Sequence, residues 1–370
     1  MGHDARRAAR EPRSGYNGAM LPSKRAFRLA FLFPLVWAAC GDETITPLGT
    51  SSSSSGGSGG ATASAASTGG GTSAASTTGA TGGAGGGSSS SASSGGAGGG
   101  PDVTRVRIAA ANLTSGNAQS YDPGDGIRIL QGLHADVVLL QEVNFGLDSA
   151  DDLRNLTDQI CGQECTMARG SGQIPNAVVS RYPVLDAGVW IDPQVQNRDF
   201  AWARIDVPGP VDLWAVSVHL LTSNASERDA EAAALVVAID GMVPGNDLLV
   251  MGGDFNTHAR DEPALATLAA HFSVTAPYPV DGDGNELTNT TRTKPYDWVL
   301  ASPGLRALEA PLVIGAAHFD TGLVVDTRVY TPLTDLAPAE LGDSGSSNMQ
   351  HMAVARDFLL PSDPVTSGGI

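Results

Sequence analysis

Seven polar residues interrupt the apolar runs of this chain where strands should end: Asn112, Glu142, His219, Asp254, Asn256, Asp297 and His351. They comprise three carboxylates, two carboxamides and two imidazoles. Each has an ordinary structural explanation on its own. An amide can cap a turn, a carboxylate can sit satisfied at an edge, a histidine can be half-buried and hydrogen-bonded, and the Gly-Gly-Asp of LLVMGGDFN (248–256) is itself a turn signal. Seven such groups at strand ends point instead to a ligand site, because α/β sheets place ligands there. Asp254 and Asn256 are two residues apart. On an extended segment their side chains share one face, and Phe255 points the other way into the core.

The elements that must position these groups are legible as alternating and apolar runs. TRVRIAAANL (104–113) and ADVVLLQEV (135–143) read as buried strands, and DGIRILQGL (125–133) and DDLRNLTDQI (151–160) as helices. NAVVSRYPVLDAGVW (176–190) reads as two strands bent at Tyr182-Pro183. FAWARIDV and VDLWAVSVHL flank PGP, a hairpin signal. SERDAEAAALVVAIDGM (226–242) has helical spacing, with Gly241 expected near its C-cap. DLLVMGG, YDWVLAS and HMAVARDFLL complete the strands. No 20–50-residue period repeats, so the expected architecture is a layered α/β sandwich rather than a solenoid.

Composition divides the 370 residues into three parts. Residues 1–40 carry a basic segment (Lys24, Arg25, Arg28) and a short apolar run, Leu29 to Val36, ending in VWAAC. That is the form of a signal peptide, with the start expected at Met20 and Cys40 in a lipobox-like position for lipidation; Trp37 stands where a Leu-like residue is usual. Residues 41–101 are dominated by Ser, Gly, Ala and Thr, a composition that cannot bury enough surface to fold and reads as a flexible linker. Residues 102–370 form the expected single domain. The formal net charge is −17. Residues 1–40 hold seven Lys/Arg and two Asp/Glu, which leaves 15 basic and 37 acidic residues beyond them, a net of −22. This excludes a broad phosphate-coating basic surface but not a local anion site where a divalent cation supplies the positive charge. After Cys40 only Cys161 and Cys165 remain, a close pair expected to form a small structural disulfide in an exported chain.

The motifs ANLTSGN, LLQEV, VSVHL, GGDFN, PYDWVLAS and QHMAV occur in this order. Together they resemble those of the endonuclease/exonuclease/phosphatase superfamily, over about residues 104 to 360. The resemblance implies a DNase-I-like four-layer α/β sandwich, two packed and mostly antiparallel sheets flanked by helices. It also implies a metal-dependent phosphoester hydrolase. Carried over by motif, Glu142 binds Mg²⁺ or Mn²⁺ with Asn112 at or near the ion, which polarises a phosphoryl oxygen. Asp254 orients or deprotonates the attacking water, and Asn256 hydrogen-bonds the phosphate. His219 faces the phosphate from the other side, while Asp297 holds the ring of His351.

One departure stands out: SSNMQHMAV places Gln350 where the family usually has an acid, and Asp343 is the nearby acid that could compensate. Arg198, Arg292 and Lys294 are the basic residues expected to contact substrate phosphate. His258 and Arg260 are read as a solvated loop, and DGDGNE (281–286) lacks the full ligand ladder of a calcium loop. The leading expectation is an exported, monomeric DNase-I-like endonuclease, held to a membrane of the cell envelope only through an N-terminal lipid anchor, or else secreted. Its alternatives are a phospholipase C, sphingomyelinase or small-molecule phosphodiesterase of the same fold, and a surface binding module without catalysis.

Overall fold

The computed structural model describes residues 103–112, 124–163, 165–347 and 349–362. The signal segment, Cys40 and the linker lie outside the described residues. In chain order the elements begin β1 (Val103–Asn112), α1 (Asp125–Leu133), β2 (Val137–Gln141), α2 (Ala150–Cys161), β3 (Thr166–Arg169), β4 (Ala177–Ser180) and β5 (Val184–Trp190). They continue β6 (Phe200–Ile205), β7 (Leu213–His219), α3 (Ala225–Met242), β8 (Leu248–Asp254), α4 (Pro263–Leu268) and β9 (Asp297–Ala301). The last are α5 (Pro303–Arg306), β10 (Glu309–Ala310), β11 (Leu312–Ile314), β12 (Ala317–Phe319), β13 (Leu323–Val325) and β14 (Ala353–Pro361).

Two sheets carry the fold. One has the order β10-β14-β1-β2-β4-β3, with β13 also on β14; the other is β5-β6-β7-β8-β9. Only β1–β2 and β7–β8 are parallel among their pairs. Three apolar cores separate four layers. Ile127, Leu130, Leu133, Leu156 and Ile160 of α1 and α2 pack on the outer face of the first sheet. Ile108, Val137 and Leu139 meet Ile205, Leu213, Ala215 and Val250 between the sheets. Leu235 and Ile239 of α3 and Leu265 of α4 cover Trp202, Val216 and Met251 on the far side. Strands covered on both faces must be apolar throughout, which is why β2 and β7 are continuous rather than alternating. This is the four-layer sandwich expected from the sequence.

The paired glycines of GGDFN serve this layering. A Cβ on Gly252 would come within 2.8 Å of Leu139 Cδ1 and of the Trp298 carbonyl oxygen. One on Gly253 would lie 2.0 Å from the Val218 carbonyl oxygen, and that residue also has φ +140°, a conformation natural to glycine. Gly252 therefore lets Leu139 of the first sheet pack directly against β8, just below the strand ends. A polar tie reinforces the approach: Gln141 Nε2 donates to Ser217 Oγ at 2.9 Å, and that hydroxyl donates to the Leu140 carbonyl at 2.7 Å.

Gly241 lies in the last turn of α3, as expected; the helix runs through Met242 and is capped by Val243, whose N–H reaches the Ile239 carbonyl. Other local expectations are overturned. The bend at Tyr182-Pro183 separates strands of different sheets, β4 and β5. Asp343 does not compensate for Gln350. It is buried beside α1, where Arg128 donates to both of its carboxylate oxygens. Arg260 is not in a solvated loop: its guanidinium lies 3.6 Å from the centroid of the Tyr278 ring. Cys161 and Cys165 are joined as a disulfide, Cα atoms 6.2 Å apart.

Candidate active site

Strand register assembles the site. Asn112 at the end of β1 lies beside Gln141 of β2, so Glu142 follows one residue beyond the sheet. In the other sheet His219 pairs with Asp254 and Asp254 with Asp297, a row across β7, β8 and β9. His351, just before β14, is bridged to Asn289. The two sheets thus bring Asn112, Glu142, His219, Asp254, Asn256, Asp297 and His351 to one end of the sandwich, and all seven are buried.

Asp254 is the centre. Its Oδ2 accepts from Asn112 Nδ2 at 3.1 Å and lies 3.3 Å from His219 Nε2 and 3.5 Å from His351 Nε2. The same Asn112 Nδ2 donates to Glu142 Oε1 at 3.0 Å, so one amide joins the two carboxylates. Asp297 Oδ2 sits 3.1 Å from His351 Nδ1, and the Asp297 backbone N–H donates to Thr288 Oγ1 at 2.7 Å. Asp297 therefore fixes the orientation of the His351 ring, as the motif implied.

The backbone is bent at two of these positions. Glu142 has φ +55° and Asn256 φ +50°, left-handed conformations that cost a non-glycine residue on the order of 1–3 kcal/mol and cluster at functional sites. The extended geometry expected for Asp254 and Asn256 thus stops at Asp254. Asn256 instead closes a turn: its N–H donates to Asp254 Oδ1 at 2.9 Å, and its Nδ2 to the Leu220 carbonyl at 2.9 Å. Phe255 is fully buried in the outer core, as expected, with its ring 6.3 Å from that of Trp298.

Burial separates the titrations of these groups. It raises Glu142, and it raises Asp254 to about 6 and Asp297 above the usual carboxylate range. Burial also opposes charge on His351, but the carboxylates of Asp297 and Asp254 outweigh it and lift the imidazole to about 10. His219 has no such compensation: burial, then the charges of Arg198 and His351, hold it well below the ordinary histidine value. At neutral pH the site contains one imidazolium and one neutral imidazole.

The donor set fits a divalent cation. Asn112 Oδ1 is buried with no hydrogen-bond partner among the described residues, beside the Glu142 and Asp254 carboxylates. Oxygen donors of this kind suit a hard ion. Three carboxylates facing one imidazolium make the site rich in acids, a setting that a divalent cation suits. Ligand atoms of Asp254, Asp297 and His351 also lie within 4.8 Å of one another, although the His351 Nδ1 is engaged by Asp297.

The three basic residues diverge. Arg198 is buried, donating to the Leu220 carbonyl at 3.3 Å, with Nε unpartnered among the described residues. Lys294 stands at the rim, its Nζ 3.2 Å from Tyr296 Oη. Arg292 is not a phosphate contact. It is clasped by Asp281 at 2.7 Å and Asp326 at 2.5 Å, and it donates to the carbonyls of Leu287 and Asn285. Its guanidinium supplies the positive charge for the DGDGN loop, and Asp281 Oδ1 accepts from the N–H groups of Asp283 and Asn285. Gln350 is half-buried, its backbone carbonyl accepting from Thr290 N–H at 2.8 Å.

Supporting residues without a motif of their own escaped the sequence reading. Arg228 of α3 is buried, forks onto Glu262 at 2.8 Å through both Nε and Nη2, and donates to the carbonyls of Leu221 and Thr222. Glu262 Oε1 in turn accepts from His258 N–H. One side chain thus ties the segments that follow His219 and Asn256. Two charged residues three apart on a helix give the only signal, and that pattern ordinarily marks a solvated face. Glu231, one turn further on, accepts from Leu221 N–H at 2.9 Å.

Two packed sheets with an acid–imidazole cluster across their strand ends define a metal-dependent phosphoesterase of the sandwich type. The sequence matches the Endonuclease/Exonuclease/phosphatase family over residues 117–363, and the chain belongs to that family. A search of curated proteins finds no match. Among solved structures, an endonuclease/exonuclease/phosphatase family protein from Bacteroides thetaiotaomicron is similar at 13% identity and a TM-score of 0.49, covering 70% of this chain and 99% of that one. One from Bacteroides vulgatus is similar at 18% identity and 0.48, over 69% and 98%. TDP2 of D. rerio, in complex with single-strand DNA product, is similar at 16% identity and 0.44, over 69% and 99%.

Proposed function

We propose that this chain is an exported phosphodiesterase that hydrolyses nucleic acid, using Mg²⁺ or Mn²⁺ and a water activated at Asp254. The observation that carries the reading is the buried set of Glu142, Asp254 and Asp297 around His219 and His351, with an orphaned amide oxygen on Asn112. Asn112 and Glu142 are the residues that would hold the ion, with the Asp254 carboxylate beside them. When bound, it supplies charge neutralisation and polarises a phosphoryl oxygen.

The protein groups divide the remaining work. Asp254, raised to about 6, is ionised near neutrality yet basic enough to take a proton from an attacking water. The His351 imidazolium, held by Asp297, faces charge developing on the phosphoryl oxygens or donates to the leaving oxygen. His219 serves as a neutral hydrogen-bonding group on the other side of Asp254. Arg198 is the basic residue favoured for phosphate contact, since its charge reaches both Glu142 and His219 and its Nε has a hydrogen bond to give.

Nucleic acid is favoured over lipid for a specific reason. No aromatic is among the exposed large hydrophobics of the described residues, although Leu185, Val189 and Ile191 lie together on and beside β5 next to the half-buried Trp190, whereas entry into a bilayer interface calls for an apolar surface rich in exposed aromatics. No helix among the described residues is long and apolar enough to cross a membrane. Export is supported by the signal-type N-terminus and the Cys161–Cys165 disulfide. The test is plasmid nicking by the purified full chain with Mg²⁺ or Mn²⁺, alongside sphingomyelin vesicles. Metal-dependent nicking that EDTA abolishes supports the proposal; turnover of sphingomyelin without nicking transfers it to the lipid alternative.

A further inference from the structure

Asp297 gives one carboxylate oxygen, Oδ2, to the His351 ring; the other, Oδ1, is buried with no hydrogen-bond partner among the described residues. A small cavity lies against this residue at the flank of the inter-sheet core, beside β9, the last strand of its sheet. Val299 of β9, Val324 of β13 and Val354 of β14, all members of that core, line it together with Asp297, Thr288 and Arg356. It has room for about one water molecule. Arg356 is the residue that apolar packing does not explain. It is 5% exposed and stands between Val354 and Phe358, its neighbours on one face of β14 and both part of the same core. Its Nη1 pairs with Glu309, which also pairs with Arg306. Its Nε has no hydrogen-bond partner among the described residues.

Two residues with orphaned polar atoms of opposite need thus line one small space. A carboxylate oxygen only accepts and a guanidinium nitrogen only donates. The charges around the cavity already have their counter-charges: Asp297 has His351 at 3.1 Å, Arg356 has Glu309, and Arg260, which also lines the space, has Glu286 at 3.4 Å. A further cation there would meet the guanidinium, and an anion the carboxylate. Water both donates and accepts, so it alone serves the two. Buried polar groups without a protein partner are ordinarily satisfied by ordered water where the space is polar and large enough. The consequence reaches the reacting centre, because Asp297 fixes the His351 ring. A carboxylate side chain bonded at Oδ2 alone can pivot about that contact; a second bond at Oδ1 fixes its plane, and with it the ring.

Resting on the phosphodiesterase reading above, we infer that this cavity is a water site behind the Asp297–His351 pair, and that Arg356 is a positioning residue whose Nε–H holds a water that donates to Asp297 Oδ1. The first test is a crystal structure of the full chain at a resolution that shows ordered waters. The expected result is a water within hydrogen-bond distance of both Asp297 Oδ1 and Arg356 Nε. Two variants then remove it by different routes. Arg356→Met takes away the donor while Glu309 keeps Arg306, and Val324→Ile fills the space with one more carbon. Each should lose the water and lower kcat for plasmid nicking with Mn²⁺ about tenfold or more, with KM within about twofold, because positioning and not substrate binding is disturbed. Should Arg356→Met fail to fold, Val324→Ile decides alone. A wild-type cavity that holds no water overturns the site. Loss of the water with kcat unchanged overturns the positioning role. A chain that holds the water yet cleaves no phosphodiester overturns the phosphodiesterase reading and the positioning role with it, and leaves the water site standing.

Discussion

Glu231 and Asp192 face each other in the interior, 0% and 3% exposed, and each has a carboxylate oxygen with no conventional donor. Burial, then the charge of Asp192, raises Glu231 to about 9, so at neutral pH the pair holds a proton that Glu231 donates to Asp192. The sign of the consequence is fixed. The folded state binds this proton more tightly than the unfolded chain, so its contribution is full below about pH 4.5 and declines as pH rises toward 9. Each tenfold change in proton activity across that range is worth ~1.4 kcal/mol, which sets an upper bound near 5 kcal/mol by pH 8. Relaxation and water entry reduce this, and a working value of about 2 kcal/mol follows for a partly relaxed site. Glu231→Gln carries the same donor permanently and keeps an oxygen for Leu221 N–H, so it removes the titration. Thermal denaturation of both proteins at pH 5, 7 and 9 is the assay. The variant should match wild type at pH 5 and exceed it at pH 8–9 by ~4–8 °C, the shift about 2 kcal/mol produces in a domain of this size. A difference that does not change with pH would refute the shared proton.

Three further outcomes follow from the packing. Gly253→Ala should destabilise the fold by on the order of 3 kcal/mol or more, measured by urea denaturation, because its Cβ meets the Val218 carbonyl at 2.0 Å in a φ +140° conformation. Arg228→Lys preserves charge but loses the fork on Glu262 and at least one carbonyl contact; kcat should fall about tenfold or more while KM stays within about threefold, since the residue positions two segments and touches no substrate. Arg292→Ala should cost stability, about 3 kcal/mol or more from leaving Asp281 and Asp326 without their counter-charge, and leave KM unchanged in the folded fraction. A raised KM would restore Arg292 to the substrate.

Much of the site was legible because its residues are coupled to local patterns. Asp254 and His219 each terminate an apolar run long enough to be recognised, and the register between β7 and β8 then places them side by side without any further information. Glu142 and Asn112 are positioned the same way by β1 and β2. What escaped depends on partners distant in sequence. Arg292 looked available for phosphate because Asp326, 34 residues on, has no local mark as its partner. Asp343 looked free to assist catalysis because Arg128 lies 215 residues away. The short strands β10 to β13 and the helices α4 and α5 carry too few residues to establish a period, and they take their conformation from the sheets they join. The left-handed turns at Glu142 and Asn256 are equally invisible locally: neither residue is glycine, and the surrounding hydrogen bonds hold the strained backbone.

The measurement closest to the central claim is a calorimetric titration of Mn²⁺ into wild type and Glu142→Gln, with circular dichroism to establish that both are folded. The buried carboxylate cluster predicts a saturable site in wild type that the variant loses or weakens by at least about tenfold, together with loss of phosphodiester turnover. A folded Glu142→Gln chain that binds Mn²⁺ as wild type does and turns over at the wild-type rate would contradict the account at its centre.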